Sequence, residues 1–173
     1  MRSLKVLYLP IAFAVVCAST GTADEQLRSL GQSVGDVQQA SAVLHTLSQR
    51  DDLQLTQVLT ALKEQSQVAK NWYLSLAEVV AQRDKERALA QCRQFLELSS
   101  EDGAARYWAF SYLIRHQPES KSELLENRLD DTSLDLRYEA IELQLSQLQR
   151  SPPATDQEKQ TAYQQLLAAA RLP

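Results

Sequence analysis

The chain has too few cysteines to rest on disulfides: two in 173 residues, Cys17 and Cys92. Four glycines and five prolines are too few for the many tight turns of a small all-β domain, and no stretch sustains the apolar-polar alternation of a half-buried strand. Histidine is scarcer than a metal site usually requires. His45 and His116 stand alone, neither with a second histidine or a cysteine at ligand spacing. There is no basic block to contact phosphates and the net charge is −4, so nucleic acid is not an expected partner. No glycine-rich phosphate loop follows a strand, and cofactors are expected to be none.

What the chain does have begins with a leader. Arg2 and Lys5 open it, Val6 to Val16 is an apolar run broken by Tyr8 and Pro10, and Gly21-Thr22-Ala23 offers small residues before Asp24. This three-part layout predicts a signal peptide over 1–23 and a secreted or periplasmic chain. The run is shorter than the roughly 20 apolar residues of a membrane span, so no membrane association is expected beyond the leader. A lipid anchor on Cys17 would call for a small residue before it, and Val16 stands there. With residues 1–23 removed, 16 basic residues remain of 18 against 22 acidic ones, and only Cys92 is left.

Leu, Ala, Gln and Glu dominate residues 24–173, and their apolar positions recur at three- and four-residue steps. The spacing predicts an all-α fold. A short segment over about 24–30 should stop at Gly31. After it, four antiparallel helix pairs are expected at about 35–64, 66–98, 102–129 and 132–171, with Arg50-Asp51-Asp52 turning the first pair. The inward stripes read Val37, Ala40, Leu44 and Leu47, then Leu55, Val58, Leu59 and Leu62. In the next pair they read Val68, Trp72, Leu76 and Val79, then Ala88, Cys92, Phe95 and Leu96. Ala105, Ala109, Tyr112 and Leu113 line the third pair. Leu136, Ala140, Leu143 and Leu148 line the fourth. Ser66 reads as an N-cap, Pro118 as a helix stop, and Thr155 with Glu158 as a capping box.

Arg106-Tyr107-Trp108-Ala109 returns as Arg137-Tyr138-Glu139-Ala140, an offset of 31 residues, each copy opening an apolar helix after an acidic stretch. Self-similarity at such a period marks stacked supersecondary units, because one helix pair cannot hide its own apolar face. Asp131-Thr132-Ser133-Leu134-Asp135-Leu136-Arg137-Tyr138-Glu139-Ala140 resembles the aspartate, hydrophobe-arginine, alanine pattern that opens short bacterial HEAT repeats, and the Arg106 copy fits nearly as well. In the preceding pair Asn71-Trp72 stands about where the Arg-Tyr is expected, so that arginine is missing. With its leader, the chain is similar to the amino-terminal repeat region of secreted bacterial HEAT-repeat proteins. The resemblance implies a right-handed α-solenoid.

Arg106 and Arg137 admit two roles. They are a ladder for a carboxylate or phosphate ligand, or each bonds acidic side chains and carbonyls in the adjoining turns and holds register; the second follows from repetition alone. Arg106, Ala109, Asp131, Arg137, Ala140 and Trp72 are therefore read as repeat-structural, with Trp72 buried. Trp108 lies off the inward line, and with Tyr107 and Tyr138 it marks a possible contact surface. Cys92, among Ala88, Phe95 and Leu96, reads as a small buried hydrophobe. No nucleophile, base and oxyanion set converges, so no catalytic residue is expected.

Stacked helix pairs present extended surfaces, and the expected role is a non-catalytic scaffold contacting a protein partner or further domains of a longer chain. The alternative is a small-molecule or glycan binder using the aromatic rows. The last helix reads as amphipathic and lacks a polar closing repeat, which leaves three expectations open: a truncated chain, a last helix covered by a partner, or a simple natural end.

Overall fold

The structure, a computed structural model, describes residues 21–98 and 101–170. Within them the fold is all-α, with no strand. Most of the expected leader, and Cys17 with it, lies outside the described residues. Nine helices are described: α1 (Ala23–Gln32), α2 (Val37–Leu47), α3 (Leu55–Thr60), α4 (Gln67–Arg83), α5 (Lys85–Leu96), α6 (Gly103–His116), α7 (Lys121–Leu125), α8 (Leu134–Arg150) and α9 (Asp156–Ala170).

Local chemistry sets most of these boundaries. Ser66 accepts from the Ala69 N–H at 3.3 Å to start α4, and Asp84 separates α4 from α5 while accepting from the Arg87 N–H at 3.0 Å. Each cap satisfies an amide that the helix itself cannot pair. Thr155 and Glu158 form the expected reciprocal box, at 3.1 and 3.2 Å. α6 stops at His116, and Pro118 opens a 3-10 turn into α7.

Gly31 does not end the first helix. It lies inside α1 because the helices crowd there: a Cβ would come within 2.6 Å of the Gln65 Oε1 and 2.9 Å of the Tyr73 hydroxyl. Thr22 caps α1 and Ala23 opens it. Thr22 makes a capping box with Glu25, and the Gly21 carbonyl accepts from Arg50 Nη1 at 2.8 Å. In α4 the inward face is Ala69, Tyr73, Leu76, Ala77, Val80 and Ala81, whereas Val68 and Val79 are exposed and Trp72 is half-buried. Apolar residues lie almost all round this helix, so periodicity alone could not choose a face.

Across α3 and the turn after it, α5 and α6 the stripes fall as expected. Leu55, Val58, Leu59 and Leu62 are buried, as are Ala88, Cys92, Phe95 and Leu96, and Ala105, Ala109, Tyr112 and Leu113. Each fully buried leucine contributes about 1.5–3 kcal/mol of transfer free energy. In the outer helices the stripes thin: α2 buries Ala40 and Leu47 but exposes Val37, α8 buries Leu136 and Ala140 while Leu143 and Leu148 stay half-buried, and α9 buries only Leu166.

The principal packing joins elements no more than three helices apart. α2 packs on α1 and α4; α4 on α3, α5 and α6; α6 on α5 and α8; and α9 on α8. α2 and α3 are not among these principal contacts, so the Arg50-Asp51-Asp52 turn does not make them the close antiparallel neighbours expected. The turn is held from elsewhere. Arg83, at the end of α4, donates to the carbonyls of Arg50 and Ser48.

Candidate functional site: an ion-pair ladder between successive helices

Four helices carry a cation four residues beyond the N-cap; in α9 it is Lys159, beyond Thr155, and it pairs with Asp156 of its own first turn. Ser66 caps α4, which carries Lys70; Asp102 caps α6, which carries Arg106; Ser133 caps α8, which carries Arg137. At that offset the side chain lies one turn into the helix, within reach of the turn that opens the next long helix.

Lys70 Nζ meets Asp102 Oδ2 at 2.7 Å, with both side chains largely buried. The other oxygen of Asp102 accepts from the N–H groups of Ala104 and Ala105 at 2.9 and 3.3 Å. One carboxylate thus starts α6 and ties α4 to it.

The next rung is tighter. Arg106 and Asp131 form a two-pronged pair, with Nε to Oδ1 at 2.9 Å and Nη2 to Oδ2, while Arg106 Nη1 donates to the Leu98 carbonyl. Both side chains are 1% exposed. Asp131 Oδ1 also accepts from the Ser133 N–H at 2.9 Å, and Arg128 Nη1 lies 3.8 Å from Oδ2. Burial pushes the Asp131 carboxyl up, but the Arg106 hydrogen bond, the Ser133 amide and the charges of Arg106 and Arg128 outweigh it and hold the group below its ordinary value. The buried guanidinium is satisfied from the turns on both sides of its own helix, as the register reading of Arg106 expects.

Arg137 does not repeat this. It is only half-buried, its Nε is shut from solvent and makes no hydrogen bond, and it has no ion pair among the described residues. Sequence spacing made Arg106 and Arg137 equals, but only Arg106 has an acidic turn packed against it. Lys70 is hidden in the sequence because Asn71-Trp72, beside it, takes the place of the Arg-Tyr pair in the motif. Counting from the N-cap at Ser66 would have found it.

Other polar contacts cross the fold at nearly the same sequence separation. Tyr112 Oη donates to the Ala81 carbonyl at 3.3 Å, 31 residues away; Arg128 Nη1 donates to the Leu96 carbonyl at 2.9 Å, 32 away; and Arg115 pairs with Glu78 at 3.0 Å, 37 away.

Most of the aromatic rings are packed inward. Trp72, expected to be buried, is half-buried against the core; Tyr73 takes the interior place and donates to the Leu27 carbonyl at 2.6 Å. Trp108 stacks on Tyr112 with centroids 5.3 Å apart, and Tyr107 lies 6.3 Å from Phe110. Of the three rings expected to form a contact surface, Trp108 and Tyr107 are half-buried and Tyr138 is exposed. Ala109 and Ala140 are fully buried.

The Cys92 thiol is buried and its pKa is pushed up to about 12 by that burial, so it carries almost no thiolate at neutral pH. His116 packs edge-on to Tyr112 at 4.6 Å. Two open clefts of about 520 Å³ each are present. One lies between α1, α3 and α4 and includes Asp24, Arg28 and Lys63; the other lies between α7, α8 and α9 and includes Glu123, Glu126 and Gln144. Among the described residues, no group of three or more His, Cys, Asp or Glu side chains is placed to hold a metal ion.

No protein-family model matches the chain, and neither the curated proteins nor the solved structures contain a match to it.

Proposed function

We propose that the protein is a non-catalytic scaffold of the extracytoplasmic space, a short right-handed α-solenoid of HEAT-like pairs that contacts other proteins or further domains through its helix faces. The ladder is the observation that carries this reading. Lys70 to Asp102 and Arg106 to Asp131 join one unit to the next at the same place in each helix, which is how a quasi-one-dimensional array is tied together. Such arrays recognise by extended surface. The half-buried and exposed apolar side chains of α8, including Leu134 and Tyr138, provide one.

A glycan-binding reading would need rings set in a row along a surface. Among the described residues, Tyr138 on α8 and Tyr163 on α9 are the exposed rings.

The test sets affinity capture from culture medium and periplasmic extract beside a thermal-shift screen of glycans and metabolites. A protein held by the wild-type chain and lost with Leu134→Asp plus Tyr138→Ser supports a scaffold. A glycan that raises the melting temperature, with no protein captured, overturns it. Location is tested by fusing residues 1–30 to a reporter, and cytoplasmic retention would remove the secreted reading.

A further inference from the structure

The ladder has two open ends whose chemistries match. At one end is Arg137, in the position that Lys70 and Arg106 hold, with its Nε enclosed and unpaired. Its helix carries further side chains that no neighbour covers fully: Tyr138 is 49% exposed, and Ile141 and Leu145 are half-buried. One repeat earlier, the counterparts of Arg137 and Ile141 are Arg106 and Phe110, both buried.

At the other end is Asp36, the N-cap of α2. Its Oδ1 accepts from the N–H groups of Gln38 and Gln39, both at 3.0 Å, the same arrangement by which Asp102 caps α6. In Asp102 the second oxygen takes Lys70. In Asp36 the second oxygen takes no partner among the described residues. α2 (Val37–Leu47) carries no Lys, Arg, Asp or Glu, and it exposes Val37, Ser41 and Ala42, an uncharged face that costs little to dehydrate against another helix.

We propose that a second copy of this chain docks head to tail, its α2 against α8, with the Asp36 carboxylate completing the site of Arg137. Charge complementarity and position point to this occupant: Arg137 is half-buried with an unpaired Nε, and Asp36 offers a carboxylate oxygen on the exposed turn that opens α2, a helix without Lys, Arg, Asp or Glu. The contact is heterologous, so it leaves both outer ends open and propagates. The proposal rests on the repeat-array reading above, but its test is separate: failed self-association leaves partner capture untouched, and failed capture leaves self-association untouched.

Sedimentation velocity of the full chain at rising concentration is the measurement. The expected result is a mass that climbs past two chains and falls back in high salt. Arg137→Glu breaks one end and Val37→Glu, at an exposed position, breaks the other. Each variant alone should sediment as a single chain while keeping a wild-type circular dichroism spectrum. Mixed, they should form a one-to-one dimer that grows no further, since each retains the end the other lacks. Asp36→Asn, which keeps a capping side chain, should weaken association at least tenfold. A wild-type chain that stays single at every concentration overturns the proposal, and so does self-association that either charge variant leaves intact or a mixture that yields no dimer.

Discussion

Arg106 and Asp131 show how much depends on one pair of side chains. Removing one partner of a buried ion pair strands the other, at a cost of about 3–5 kcal/mol, whereas apolar residues of similar volume in both places are often neutral. Asp131→Asn should therefore lower stability to urea by about that amount. Arg106→Met with Asp131→Leu should recover most of it. The pH dependence follows from the same group. Because the folded-state pKa of Asp131 lies below its ordinary value, its contribution is present above about pH 4, the unfolded carboxyl range, and is lost as pH falls through the lower folded value. Stability measured from pH 7 to pH 2 should drop in that acid window, and Asp131→Asn should flatten the drop. Residue types near the ladder were readable from the sequence, since an arginine recurring after an acidic stretch marks a repeat. Whether a given arginine is satisfied was not readable, because that depends on a turn 25 residues away being packed against it.

At the scale of elements, α6 and the turn before α8 are held at close quarters by what the start of α6 can fit. Gly103 opens α6 with its Cα facing the turn before α8: a Cβ there would lie 3.1 Å from the Ser133 Cα and 3.2 Å from the Thr132 carbonyl oxygen. Alanine has the better helix propensity by about 1 kcal/mol, yet both obstacles are backbone. Gly103→Ala should destabilise by about 1–3 kcal/mol, the range for overpacking, and Gly35→Ala, with nothing within 4 Å, should not. Thermal melts of the two variants decide it. Helix boundaries were legible because Ser66, Asp102, Ser133 and Thr155 are capping residues set before apolar runs. Faces were legible only where polar residues filled the other side. In α5 the inward stripe of Ala88, Cys92, Phe95 and Leu96 stands out among Lys85, Glu86, Arg87 and Arg93, whereas α4 has no such contrast, and its register slipped from Trp72 to Tyr73.

Across the whole molecule, the core is thickest where α4, α5 and α6 meet and thins toward α9, which packs principally on α8 and buries one leucine. Local unfolding follows buried contact. Amide hydrogen exchange should therefore open α9 first and α4 to α6 last, and a protected α9 in the dilute single chain would contradict the packing. Unequal ends also bear on use. In the middle of the fold Lys70 and Arg106 each meet an acid, which ties α4, α6 and the turn before α8 together. At α2 and α8 the corresponding groups, Asp36 and Arg137, have no ion pair among the described residues.

By itself the sequence determined that the chain is helical, where several of its helices begin, and that the Arg106 motif returns 31 residues on at Arg137, because caps, prolines and apolar spacing act within a few residues of one another. Tertiary structure alone decided which face of α4 turns inward, that Gly31 serves close packing and not helix termination, and that Lys70 and Arg106 are paired while Arg137 is not. Those outcomes depend on which elements lie side by side. A side chain at a fixed place in a repeat is buried, paired or left open according to the neighbour it meets.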